Sequence, residues 1–180
     1  MNELDKKREL KNRYDETADI YNERYRKIQR KKFQAVRNHL QGADRVLDVG
    51  CGTGLFLNEF SKISGRVVGV DFSLGMLRKT EKTNGISLVC ADADKLPFRD
   101  ESFNVVISLT LLQNMPDPQH TVREMGRVVV EDGLVLLTTL EKKHSISQLE
   151  EWVSSANLKP MRIGRIPDSE DILCVARRMK

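Results

Sequence analysis

Over the first 42 positions, apolar residues recur as Leu4, Leu10, Tyr14, Ala18, Tyr21, Tyr25, Ile28, Phe33, Val36 and Leu40, mostly three, four or seven apart among charged residues. That spacing lays an apolar stripe along a helix. Gly42 closes the stretch, and from Arg45 onward short apolar runs alternate with amphipathic segments. Alternation of this kind marks repeated strand–helix units around a parallel sheet. The runs predict strands over 45–49, 66–70, 86–90, 103–109, 133–140, 161–166 and 171–176.

Helix ends are signalled between the runs. Asp117 followed by Pro118 suits an N-cap with proline in the first turn, and Ser147 with Glu150 three positions on suits a capping box. Asn84-Gly85 and Asp132-Gly133 read as helix ends turning into the next strand. Only Pro167-Asp168-Ser169-Glu170 separate the last two runs. So short a link makes them an antiparallel hairpin on the sheet edge. The fold expected is α/β: a doubly wound, seven-stranded, mainly parallel sheet with a C-terminal antiparallel strand and N-terminal helices.

A length of 180 residues fits one domain with one core. No apolar run approaches the roughly 18 residues that span a bilayer, and the expectation is a cytoplasmic chain with no membrane association. Cys51, Cys90 and Cys174 are an odd number, far apart, and form no zinc-type cluster; they read as reduced, buried residues and no metal site is expected. The net charge of +4 is unevenly spread, because the stretch from Arg24 to Arg37 holds Arg24, Arg26, Lys27, Arg30, Lys31, Lys32 and Arg37 and no acidic residue. Such a block either attracts phosphates or is a solvated helix face.

The stretch with the most chemistry is Val46-Leu47-Asp48-Val49-Gly50-Cys51-Gly52-Thr53-Gly54, an apolar strand running into three alternate glycines and then an amphipathic segment. Glycines there let the chain turn sharply and let a ligand lie against bare backbone at a strand's carboxyl end. A dinucleotide fingerprint would require glycine where Leu55 stands, which disfavours NAD. Asp48 puts a carboxylate beside the loop, suited to a cationic ligand rather than a pyrophosphate.

These residues resemble the first motif of the class I S-adenosylmethionine-dependent methyltransferases, and the resemblance extends from about Arg45 to Leu140. In that family the glycine loop lies under the methionine and ribose parts of the cofactor. Gly69-Val70-Asp71 matches the second motif, whose acidic residue accepts from both ribose hydroxyls, as a carboxylate's two oxygens permit. Ala91-Asp92-Ala93-Asp94 is similar to the third; there the residue matching Asp92 accepts from the adenine amino group and the backbone N–H of Ala93 faces a ring nitrogen. The segment Asp100 to Val106 resembles the usual start of the fourth strand, whose tip, near Leu109, would close over the sulfonium.

The resemblance thus implies S-adenosylmethionine as cofactor, held by Asp48, Gly50, Cys51, Gly52, Gly54, Asp71, Phe72, Asp92, Ala93 and Leu109. Residues 43–180 would form the methyltransferase domain, with residues 1–42 a basic helical segment packed on or capping the site. Methyl transfer from a sulfonium asks the protein mainly to align the acceptor and exclude water. Glu141 and His144, just past the fifth strand, are candidate bases but read more simply as solvent-facing residues, and no catalytic residue is assigned. Gln113-Asn114-Met115-Pro116-Asp117 replaces the family's Asn-Pro-Pro-Tyr, which argues against adenine-N6 and glutamine-amide acceptors. Only Glu141 to Ile146 follow the fifth strand before the next helix, so the site should be relatively open. Either the N-terminal segment folds over it, bringing Tyr14, Tyr21 or Tyr25 to the pocket, or a macromolecule completes it. The block from Arg24 to Arg37 tilts the acceptor towards RNA, tRNA in particular, over a small molecule. Some RNA-modifying members need a small activator subunit, a partner that the resemblance alone suggests. The rival readings are a non-catalytic cofactor-binding scaffold and a nicotinamide-dependent enzyme.

Overall fold

In a computed structural model, residues 3–81 and 83–180 are described. Strands β1 (Arg45–Val49), β2 (Arg66–Asp71), β3 (Ile86–Cys90), β4 (Phe103–Leu109), β5 (Val129–Leu140), β6 (Leu158–Arg165) and β7 (Asp171–Arg178) form one sheet. Their order is β3-β2-β1-β4-β5-β7-β6. β7 runs antiparallel to both β5 and β6, and the remaining neighbours pair in parallel. The chain therefore moves outward from β1 to β3 and then restarts on the other side at β4. This reversal leaves a crevice between the carboxyl ends of β1 and β4, where ligands of open α/β sheets bind.

β1 is buried from Val46 to Val49 because both of its faces are covered. On one face Leu47, Val49, Val106 and Leu137 pack under α4 (Pro118–Val128) and α5 (Ile146–Ser155). On the other, Val46, Val105, Ile107 and Leu136 meet Phe56, Leu57 and Phe60, around α2 (Leu57–Ser61), and the end of α1 (Glu3–Val36). The short α3 (Leu74–Leu77) follows β2. α4 begins as its sequence suggested, with Asp117 accepting from the His120 N–H at 3.1 Å and Pro118 in the first turn.

Several local expectations are corrected. The N-terminal segment is one continuous 34-residue helix with a short 3-10 turn after it, not several helices. The capping box of α5 is built by Ser145 and Gln148 rather than Ser147 and Glu150, since that register points Leu149, Trp152 and Val153 into the core. Asp132-Gly133 does not end a helix: α4 stops at Val128, β5 starts at Val129, and Asp132 turns within the strand at φ +59°. Asn84-Gly85 is a turn ahead of β3, well beyond the end of α3. Cys174 is buried, but Cys51 is half-buried and Cys90 exposed, because β3 is an edge strand with one side open.

At about 1.5 Å per residue, α1 is long enough to cross the whole carboxyl edge of the sheet. Its last turns are cemented to the core. Phe33 stacks on Phe56 with ring centroids 4.9 Å apart and leans on Phe60 at 5.6 Å. Lys32, 1% exposed, pairs with Asp171 at 3.0 Å. The basic block is thus not one surface: Lys32 is inside, Lys31 donates to the Asp168 carbonyl, and Arg30 pairs with Glu59 at 3.3 Å. Leu4 and Ile28, counted in the apolar stripe, are instead exposed.

Candidate active site

The loop after β1 turns with Gly50 at φ +77° and Gly52 at φ +56°, backbone conformations that side-chain-bearing residues rarely adopt. The N–H groups of Gly50 and Cys51 donate to the Val70 carbonyl at 2.8 and 3.0 Å, which ties the loop to the end of β2. There Asp71 receives the Gly52 N–H on Oδ2 and the Ser73 N–H on Oδ1, each at 2.8 Å. Each carboxylate oxygen keeps a lone pair free for a ligand. Burial raises the Asp71 carboxyl above its ordinary value, opposed by those backbone N–H groups.

A cavity of about 740 Å³, its mouth included, opens over this loop. Of the residues expected to hold the cofactor, Gly50, Gly52, Asp71, Phe72, Asp92, Ala93 and Leu109 line it; Asp48, Cys51 and Gly54 do not. Asp48 lies beneath, nearly buried in β1. Cys51 turns its sulfur towards Gly69, and Gly54 packs on Thr80. A Cβ at Gly50 would come within 3.1 Å of Leu111, so bare backbone is what keeps this floor open.

The roof is α1, and most of its contacts were not visible beforehand. Lys7 Nζ reaches Asp92 Oδ2 at 2.7 Å and Asp94 Oδ2 at 2.5 Å. Asp15 accepts from the Gly75 N–H at 2.9 Å and from the Ser73 hydroxyl, capping α3 from outside. Thr53 donates to Asn22 Oδ1 at 2.5 Å, and Lys79 pairs with Asp19. Of the three tyrosines, Tyr14 and Tyr21 line the cavity, and Asn114 Nδ2 donates to the Tyr14 hydroxyl at 3.1 Å. Burial raises both phenols above their ordinary value, so they stay protonated.

A second, larger cleft of about 1540 Å³ runs between α1 and the β6–β7 turn. Tyr14, Tyr21, Thr110 and Asn114 belong to both spaces and form the wall between them. Thr110 is held at φ +68° at the tip of β4 by its N–H donating to Thr138 Oγ1 at 3.0 Å, and Lys32 donates to its hydroxyl. Neither candidate base comes here. Glu141 pairs with Arg165 at 2.6 Å, and His144 packs edge-on against Trp152 with ring centroids 4.9 Å apart. Among the described residues, no cluster of three or more His, Cys, Asp or Glu could hold a metal ion, and no helix is long and apolar enough to cross a membrane.

Residues 47–137 match the methyltransferase domain family, and the chain belongs to it, among the class I S-adenosylmethionine-dependent methyltransferases. A demethylmenaquinone methyltransferase of Staphylococcus saprophyticus is 36% identical over 134 residues, 71% of this chain and 57% of that protein. An uncharacterized protein of Methanocaldococcus jannaschii is 32% identical over 131 residues, 72% of this chain and 51% of its own length. The chain thus spans about half the length of the curated relatives it matches. In fold it is similar to a chain of the complex between the Haloferax volcanii Trm112 methyltransferase activator and a methyltransferase, with TM-score 0.78, 20% identity, 93% of this chain and 98% of that one. It is also similar to the [4+2]-cyclase SpnF, with TM-score 0.74, 18% identity, 84% of this chain and 80% of that one.

Proposed function

We propose that this chain transfers a methyl group from S-adenosylmethionine to a small acceptor lying in the cleft under α1. The observation that carries the reading is the shared wall: a chamber built on Gly50, Gly52 and Asp71 meets a second cleft across Tyr14, Tyr21, Thr110 and Asn114. Asp71 would hold the ribose hydroxyls, Asp92 and the Ala93 N–H the adenine, and Gly50 and Gly52 the methionine part. When bound, the cofactor supplies an activated methyl group and its own leaving group. The protein's own part is alignment: α1 lies over both spaces and half-buries the wall they share.

Two finer points keep specific support. Arg24, Arg26, Lys27, Arg30 and Arg37 remain exposed, which favours an RNA acceptor as the second reading, although buried Lys32 takes no part in such a surface. Likeness in fold to a methyltransferase solved with its activator favours an activator subunit as partner.

Calorimetric titration with S-adenosylmethionine and S-adenosylhomocysteine, alone and with bulk tRNA, tests the reading. Saturable binding unaffected by tRNA is expected. No binding under any condition sinks the cofactor assignment; binding without methyl transfer to any candidate acceptor leaves a scaffold.

A further inference from the structure

The wall where methyl transfer would occur carries only uncharged groups. Tyr14 and Tyr21 are phenols kept protonated by burial, and Thr110 and Asn114 do not titrate in water. The carboxylates around the cleft are engaged or elsewhere. Asp171 is tied to Lys32 at 3.0 Å and Glu170 to Lys142 at 3.2 Å, while Asp168 stands on the exposed β6–β7 turn and is not part of the wall. Among the described residues, no carboxylate or imidazole belongs to that wall, and the Lys32 ammonium beside Thr110 is held by Asp171.

The rest of the cleft has a consistent chemistry. Tyr14, Tyr21 and Tyr25 form a row along α1, with ring centroids 6.3 Å and 4.8 Å apart, and Ile28 continues it. Once the two ion pairs are set aside, Arg13, Lys27, Lys31 and Lys143 face the single carboxylate of Asp168. A wall of aromatic rings, set edge-on and tilted to one another, beneath an excess of positive charge selects a ring with a negative substituent.

We infer that the acceptor is a small planar anion, an aromatic carboxylate, which lies along the tyrosine row and brings its own charge to the reaction. The inference rests on the methyl-transfer reading above. The anion's lone pair forms the new bond to the methyl carbon as the carbon–sulfur bond breaks and its electron pair stays on sulfur. Negative acceptor and positive sulfonium both become neutral and no proton has to leave, so no base is required. Cancelling opposite charges is the more favoured the less water screens them.

The test uses the full chain, first titrated with S-adenosylhomocysteine by calorimetry, then with naphthoate and with naphthol at neutral pH, followed by the fluorescence of each ring. Naphthoate is expected to bind about tenfold more tightly than the uncharged naphthol, a difference of about 1.4 kcal/mol. The preference should vanish in a Lys27→Gln/Lys143→Gln variant, both exposed positions, and persist in Arg37→Gln, which lies outside the cleft. Equal affinity for the two rings, a preference unchanged in the double variant, or displacement of naphthoate by far lower concentrations of bulk tRNA would overturn the inference. The comparison is run with and without S-adenosylhomocysteine. Loss of cofactor binding then counts against the methyl-transfer reading, and loss of the anion preference against this one.

Discussion

Lys7 Nζ stands 2.7 Å from Asp92 Oδ2, so the carboxylate that would recognise the adenine amino group is already held by the roof of its own chamber. The same ammonium holds Asp94, and its side chain is only 13% exposed. Asp92 keeps lone pairs for a second donor, but it must share.

Sharing separates the two residues experimentally. Asp92→Asn should weaken S-adenosylhomocysteine binding by about 1–3 kcal/mol, the range for a lost charged hydrogen-bond partner. Lys7→Met keeps the aliphatic stem and frees the carboxylate, so affinity should hold or rise while amide exchange over residues 4–13 quickens. If Lys7→Met binds as poorly as Asp92→Asn in calorimetry, Lys7 rather than Asp92 is the contact.

Asp71 anchors two backbone N–H groups and the ribose at once. In Asp71→Asn the amide nitrogen cannot accept, so one loop N–H loses its partner together with a ribose hydroxyl. S-adenosylhomocysteine affinity should drop by about 1–3 kcal/mol in a folded variant. Unchanged affinity would remove Asp71 from the cofactor.

Asp48 should appear in stability rather than binding. Burial, and then the nearby Asp71 charge, push its carboxyl up to about 7. The unfolded chain releases that proton near pH 4, so between about pH 4 and pH 7 the folded state binds more protons and loses stability as pH rises. Asp48→Asn has no such proton. Its melting temperature should gain on the parent through that window and hold a constant lead above it; parallel curves would contradict the assignment.

The pair Lys32 and Asp171 is sealed from water, 1% exposed on each side. Lys32→Met strands a buried carboxylate and should cost about 3–5 kcal/mol in urea unfolding, whereas Lys32→Met/Asp171→Leu recovers much of the loss. An additive double variant would mean the two charges do not act on each other.

The strands were legible because a buried parallel sheet writes itself as apolar runs. β1, β3 and β4 were placed to the residue, and the glycines with Asp71 and Asp92 announced the chamber. Register inside short helices was not. Ser145-x-x-Gln148 and Ser147-x-x-Glu150 satisfy the same local rule, and only burial of Trp152 and its neighbours separates them. The roof was hidden for another reason. The partners of Lys7, Asp15 and Asn22 lie 85, 60 and 31 residues away, and on a charged helix such residues look like any solvated face. Lys32 did leave a sign: Gln29, Lys32, Phe33, Val36 and Leu40 follow helical spacing on the buried side, which set it apart from its basic neighbours.

α1 is two kinds of fastening on one rod. Its far end is set into hydrocarbon by Phe33, Val36 and the sealed Lys32, and the following Leu40 is equally buried, none of which salt can reach. Its near end is held by charged and polar contacts of Lys7, Asp15 and Asp19, of which the exposed Lys79–Asp19 pair is the sort that dissolved ions loosen most. The helix is therefore bound by hydrocarbon at one end and by charge at the other, and rising ionic strength is expected to loosen the charged end first.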